Sequence, residues 1–148
     1  MTLKVLTRDD YEEIRRAFCA IFTVEPWNDD WSDEEQLREY LLDMTASRNS
    51  LTFGLFDSSG AMIGFGLGRE IHWYEGTEYF LDEFGVLPEH CGRGIGTRFL
   101  RLMEKRLLER GLRALVLQTD RRFAAYGFYL KNGFAEHKTR AFMMKFLV

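Results

Sequence analysis

Gly92, Gly94 and Gly96 stand at every second position between an apolar run ending at Val86 and an amphipathic run that follows, and this arrangement suits a phosphate group. Without a Cβ the backbone can curl tightly and bring its N–H groups close to a ligand. A helix beginning at such a turn adds about half a positive charge at its N-terminus and several N–H groups that no helical carbonyl satisfies. Arg93 and Arg98 flank the turn with planar donor forks for further phosphate oxygens. A P-loop would need Lys and then Ser or Thr after its last glycine, and Ile95-Gly96-Thr97 offers no Lys. A dinucleotide fingerprint spaces its glycines more widely and opens the first strand–helix unit, with an acid about twenty residues on. Asp120 stands at a tolerable distance for that acid, but the turn comes late in the chain, so both of these assignments rank low.

Just before the turn, Leu81-Asp82-Glu83-Phe84-Gly85-Val86 places two carboxylates on a strand. Burying carboxylates is costly unless they have partners, so their presence points to function. Successive strand residues face opposite sides, and only one of the pair would look into a cleft. The competing role for either is a structural ion pair with an arginine. Earlier in the chain, Glu25-Pro26-Trp27-Asn28-Asp29-Asp30-Trp31 mixes aromatic rings with acids. Rings attract an ammonium group by cation–π contact and acids attract it over a longer range. Tyr74, within His72-Trp73-Tyr74-Glu75, would form a facing wall by the same chemistry. Alternatively, Trp27 and Trp31 anchor the core while Asp29 and Asp30 form a solvated turn. His72, His90 and His137 are scattered and only Cys19 and Cys91 accompany them, so no metal-ligand spacing is present.

The glycine turn resembles the acetyl-CoA-binding signature of the GNAT superfamily of N-acetyltransferases, Gln/Arg-x-x-Gly-x-Gly/Ala. Cys91-Gly92-Arg93-Gly94-Ile95-Gly96 matches it except at Cys91, which stands where the family has Gln or Arg; the resemblance still counts Cys91 among the cofactor-binding residues and leaves the backbone cradle intact. Further on, Ala125-Tyr126-Gly127-Phe128-Tyr129-Leu130-Lys131-Asn132-Gly133-Phe134 is similar to the family's Ala-x-x-Phe-Tyr-x-x-x-Gly-Phe. The resemblance runs from about Tyr79 to Phe134. It implies direct attack of a primary amine on acetyl-CoA in a ternary complex, with coenzyme A as product. It puts the pyrophosphate on the amides of Gly92, Arg93, Gly94, Ile95, Gly96 and Thr97. The pantetheine arm would lie along Phe84, Gly85 and Val86 like an added strand, beside a bulge that opens a gap for the thioester, and a strand N–H would stabilise the charge developing on the thioester oxygen. Tyr129 matches the family's general acid, a phenol whose pKa of about 10 keeps its proton at neutral pH; taken alone, it would be a packing tyrosine. Asp82 becomes the expected base, with Glu83 as a second acceptor-binding carboxylate. The family places acceptor-binding residues between its first two helices, which brings in Trp27, Asp29, Asp30 and Trp31.

These groups must be held by a scaffold that the pattern of apolar residues outlines. Leu3 to Leu6 reads as a first strand, and Tyr11, Ile14, Phe18, Ile21 and Phe22 share one helical face. A second helix begins at Ser32, with Glu35 completing a capping box and Leu37, Leu41 and Met44 forming its stripe. Leu51 to Phe56 and Met62 to Leu67 form a hairpin closed by Asp57-Ser58-Ser59-Gly60. Tyr79 to Val86 is the next strand. Phe99, Leu102, Met103, Leu107 and Leu108 stripe the helix after the glycine turn, and Gly111 ends it. Ala114 to Gln118 is expected as a buried strand, Arg122 to Lys131 as the last helix, and Phe142 to Val148 as a strand closing the sheet. The sum is one α/β (α+β) domain over residues 1–148, with a mixed, mainly antiparallel twisted sheet flanked by about four helices.

Composition agrees with such a domain. A chain of 148 residues can bury roughly two-thirds of its unfolded surface, and 46% hydrophobic content supplies the core. A net charge of -3 argues against nucleic acid as the main partner. No apolar stretch approaches the roughly 20 residues of a membrane span, and the opening Met1-Thr2-Leu3-Lys4 has no signal-peptide core. Two cysteines build no disulfide framework, so a reducing cytoplasm is expected. The apolar Phe142-Met143-Met144 end would permit a homodimer as well as a monomer. The expected function is acetyl transfer to a small cationic amine, polyamine-like or aminoglycoside-like, with an amino-acid or protein amine as the alternative acceptor. From a different class, a non-catalytic acyl-CoA-binding module would bind coenzyme without turnover.

Overall fold

A computed structural model describes residues 1–148. After β1 (Thr2–Leu6), Thr7 accepts the Asp9 amide and donates its own to Asp10 Oδ2 at 2.7 Å, and a single 3-10 turn leads into α1 (Tyr11–Phe22). α1 buries Ile14, Ala17, Phe18, Ile21 and Phe22. α2 spans Glu34–Thr45 and starts later than the expected Ser32. Its cap is Asp33, whose Oδ1 accepts the amides of Glu35 and Gln36 at 3.1 and 3.0 Å, while Ser32 donates its N–H to Asp30 instead. The Ser32–Glu35 capping box therefore does not form, because the neighbouring carboxylate takes both orphan amides. Leu37, Leu41 and Met44 are buried as the stripe requires.

β2 (Thr52–Phe56) and β3 (Met62–Trp73) are joined by Asp57, whose Oδ1 accepts the amides of Ser59 and Ala61, with Gly60 at φ 86°. β3 and β4 (Gly76–Val86) both extend beyond the expected limits and meet in a second hairpin at Tyr74 and Glu75. α3 (Ile95–Glu109), β5 (Ala114–Val116) and α4 (Ala124–Lys131) complete the elements. The sheet order is β1-β2-β3-β4-β5, antiparallel except for the parallel β4–β5 pair. This is the mixed, mainly antiparallel sheet with four helices that the sequence suggested.

The contacts divide the chain into two units, Met1–Gln118 and Thr119–Val148. In the first, Phe65 and Leu67 of β3 join the core cluster under α1 and α2, while Gly64 and Gly66, which alternate with them, face α3. A Cβ on Gly66 would stand 2.8 Å from Met103 Cε, so glycine there lets the helix close on the strand. α3 buries Phe99, Leu100, Met103 and Leu107. Leu108, expected in that stripe, is 72% exposed, since one residue past Leu107 turns about 100° away from the sheet. β5 has three residues, none fully buried, rather than the expected five.

In the second unit α4 begins at Ala124, because Asp120 Oδ1 holds the Arg122 amide at 2.9 Å in a turn ahead of it. At its other end Gly133 takes φ 87°, the Phe134 amide bonds Tyr129 O at 3.1 Å and the Gly133 amide bonds Leu130 O at 3.2 Å. This left-handed cap folds the Phe134 ring against Tyr129, with centroids 5.3 Å apart, and explains the Tyr-x-x-x-Gly-Phe spacing. Residues 142–148, expected to close the sheet, belong to no strand and are exposed, because the run pairs with no other backbone. No helix is long and apolar enough to cross a membrane.

Candidate active site

The β3–β4 ladder changes register between Leu67↔Glu83 and Gly68↔Leu81, leaving Asp82 opposite no residue. This is a bulge at the middle of β4, and bulges bend a strand and re-aim its side chains. β5 pairs only with Glu78, Tyr79 and Phe80, so its ladder stops just before the bulge. Past it, Leu87 donates its amide to Ile63 O at 2.9 Å, and by alternation Val86 turns its N–H and C=O away from β3. That side of β4 can take an extended, amide-bearing ligand.

The strand then leads through a 3-10 turn at Pro88–His90 to the glycines. Gly92 and Gly94 adopt left-handed φ values of 76° and 73°, and Gly94 is the N-cap of α3. The Arg98 amide is bonded to Gly94 O at 3.1 Å, so the amides of Ile95, Gly96 and Thr97 have no helical carbonyl to meet. Gly96 lies inside the first helical turn, so only two of the three glycines supply the left-handed backbone. A Cβ at Gly92 or Gly94 would touch nothing within 4 Å, which leaves the approach to these amides open. Successive amides of this kind, at the head of a 15-residue helix, fit a pyrophosphate. Cys91 Sγ rests near Val86 O and Leu87 O at 3.5 and 3.6 Å, and burial, aided by Glu89, pushes its thiol pKa up. It remains a protonated thiol there.

The two adjacent carboxylates have opposite surroundings. Asp82 is held by Arg69 through Nε and a terminal nitrogen at 3.0 and 3.3 Å, and the same guanidinium lies 5.3 Å from the Phe80 ring. Glu83 turns towards α2, where the Tyr40 hydroxyl donates to Oε1 at 2.6 Å. Burial, reinforced by the negative charges of Asp29 and Asp82, raises its pKa to about 7 against the opposing effect of the Tyr40 bond. Burial also pushes the Tyr40 phenol above its usual range.

The loop between α1 and α2 divides its residues between packing and polarity. Trp27 lies 5.7 Å from the Phe22 ring, and Trp31 stacks on Tyr40 at 5.2 Å with its edge to Phe18 at 5.3 Å. Both tryptophans thus anchor the core cluster, and the buried Trp31 Nε1 has no hydrogen-bond partner. Asn28, at φ 50°, and the Asp29 amide bonded to Phe22 O at 2.8 Å set Asp29 where its charge reaches Glu83. Asp30 instead accepts from Ser32, which lowers its pKa. Tyr74 is 83% exposed at the β3–β4 turn beside Trp73. Seven residues of β4 separate that turn from Glu83, more than about 25 Å along the strand, so the two do not come together. In the second unit, Tyr129 sits on α4 with its ring between those of Phe128 and Phe134.

Sequence reasoning missed Tyr40 and Arg69. Tyr40 falls on the Leu37–Leu41–Met44 face of α2, and a hydroxyl on a buried face needs a partner; that was the available signal. Arg69 could not be paired with Asp82 without the β3–β4 register.

The Acetyltransferase (GNAT) family model matches residues 11–134. Among solved structures, an aminoglycoside acetyltransferase, meta-AAC0020, from an uncultured soil metagenomic sample in complex with sisomicin is 18% identical with a TM-score of 0.73, covering 98% of this chain and 95% of that one. AAC(6')-Iy in complex with the bisubstrate analog CoA-S-monomethyl-acetylneamine is also 18% identical, with a TM-score of 0.73 and 97% of each chain covered. A ribosomal-protein-alanine N-acetyltransferase from Brucella melitensis biovar Abortus 2308 is 16% identical, with a TM-score of 0.76, covering 99% of this chain and 100% of that one. At such identities the structures establish a common fold around acceptors as different as an aminoglycoside and a protein. What they share beyond shape is carried by the sequence match over most of the length: this chain belongs to the GNAT acetyltransferases, enzymes that take their acetyl group from acetyl-CoA.

Proposed function

We propose that the protein acetylates a primary amine on a small cationic acceptor, with Glu83 taking the proton that the ammonium group must lose. The observation that carries this reading is the environment of Glu83: a half-buried carboxylate beside the β4 bulge, bonded by the Tyr40 hydroxyl, whose pKa of about 7 lets it bind and release a proton near neutral pH. Asp82, expected to serve as base, has both oxygens occupied by Arg69, and its part is to hold that cation beside the bulge. Bound acetyl-CoA supplies an activated acetyl thioester. The amides of residues 92–97, with Arg93 and Arg98, hold its pyrophosphate, and Phe84, Gly85 and Val86 line its arm. Tyr129 gives a proton to the departing sulfur, a role supported by its place in the Phe-Tyr-x-x-x-Gly-Phe pattern. Tyr129→Phe is expected to lower kcat on the order of a hundredfold, with both KM values little changed. Steady-state kinetics with wild-type turnover would reduce Tyr129 to a packing residue.

Cation preference is supported by Asp29, whose charge reaches Glu83 while Asp30 is occupied with Ser32. Asp29→Asn should therefore raise the acceptor KM severalfold, an effect that added salt partly reproduces by screening. Asp30→Asn should leave that KM unchanged. A panel of polyamines, aminoglycosides, amino acids and peptides, followed by release of free thiol from acetyl-CoA, tests the whole reading. A preferred acceptor that is neutral or anionic, with a KM indifferent to salt, would overturn the cationic class.

A further inference from the structure

We propose that Tyr40 is a positioning residue for this reaction: its hydroxyl fixes Glu83 Oε1 and reserves Oε2 as the oxygen that receives the acceptor's proton. The inference rests on the reading of Glu83 as proton acceptor and adds to it the residue that aims the carboxylate. The 2.6 Å contact joins α2 to the centre of β4, across 43 residues of sequence. Tyr40 has little freedom to swing, because its ring is stacked on Trp31 at 5.2 Å and packed edge-on against Phe18 at 6.0 Å. Its helix is pinned on either side by Leu37 and Leu41, both fully buried. A carboxylate with one oxygen committed to a rigid donor presents the other in one direction, which a proton transfer over hydrogen-bond distance requires.

The bond has a second effect. Asp29 from the α1–α2 loop and Asp82 on β4 both disfavour the charged form of Glu83, as burial does. Arg69 of β3 reaches Asp82 rather than Glu83, α1 contributes only the apolar Phe18 ring to the Tyr40 stack, and Asp43 lies one turn beyond Tyr40 on α2. The Tyr40 hydroxyl is thus the group that favours the carboxylate over the carboxylic acid.

The test compares the acid limb of kcat/KM in wild type and Tyr40→Phe, a change that removes the hydroxyl and keeps the ring in its stack. The limb should move to higher pH by about one unit, the worth of one hydrogen bond to a charged group, with acetyl-CoA KM unchanged. Carboxyl ¹³C NMR should show the same upward displacement for Glu83 without turnover. Placing 3-fluorotyrosine at position 40 makes the phenol a stronger donor and should move the limb down, which keeps the inference testable if the Phe variant folds poorly. An unmoved limb in these variants, while Glu83→Gln is inactive, would overturn the role of Tyr40 alone. Retention of activity and of the acid limb in Glu83→Gln would instead overturn the reading of Glu83.

Discussion

Glu83→Gln is expected to lower kcat by a factor on the order of a hundred to ten thousand, the usual contribution of a positioned base, while acetyl-CoA affinity stays unchanged. In the wild type, kcat/KM should climb as pH rises through about 7, because Glu83 must lose its own proton before it can take one from the acceptor. The Gln variant should lack that limb. Stability should move in the opposite direction. The folded protein holds the Glu83 proton more tightly than the unfolded chain, so stability is full below the ordinary value of 4.5 and is lost as pH rises through about 7. Glutamine has no charge to desolvate and still offers a carbonyl to the Tyr40 hydroxyl. Its melting temperature should therefore exceed that of the wild type above pH 7, and the difference should close below 4.5. A variant that turned over normally, or that melted lower at pH 8, would contradict this account.

The second large effect belongs to the glycine turn. Gly94→Asp should abolish measurable acetyl-CoA binding in calorimetry while the fold persists. Gly94 has φ 73° and open space where a side chain would go, so the folded protein pays only the left-handed backbone strain, about 1–2 kcal/mol. Aspartate is also among the side chains that tolerate this conformation and cap helices. The ligand fares worse. A carboxylate set about 4 Å from a phosphate repels it by roughly 4 kcal/mol at an effective dielectric of 20, beyond a hundredfold in affinity. Unchanged affinity in Gly94→Asp would remove the turn from the coenzyme site.

Periodicity and local chemistry made the scaffold of the first unit legible from sequence. The stripes of α1 and α2, the Asp57–Gly60 hairpin and the glycine turn all depend on neighbours within a few residues. Misreadings arose where two local signals competed or where a distant partner decided. Asp33 displaced Ser32 as cap because its carboxylate accepts the amides of both Glu35 and Gln36, while Ser32 bonds Asp30. Leu108 is apolar but one position off the buried stripe. Phe142 to Val148 has the composition of a strand, yet a strand needs a partner, and composition does not supply one. Within the site, sequence identified Asp82 and Glu83 but not their different surroundings. Those depend on Arg69 across the sheet and Tyr40 from a helix 43 residues away, relations that exist only once the bulge register is set.

That bulge also bears on how the protein behaves in concentrated solution. Past Phe80 no ladder from β5 covers β4, and an uncovered strand is a template on which a foreign strand can grow. A foreign strand would require regularly spaced amides and carbonyls, and the extra residue at Asp82 breaks that spacing at the entrance to the uncovered stretch. It would also have to pass two adjacent carboxylates, one of them kept in place by Arg69. The irregularity that opens β4 to a small extended ligand thereby protects the same edge from aggregation.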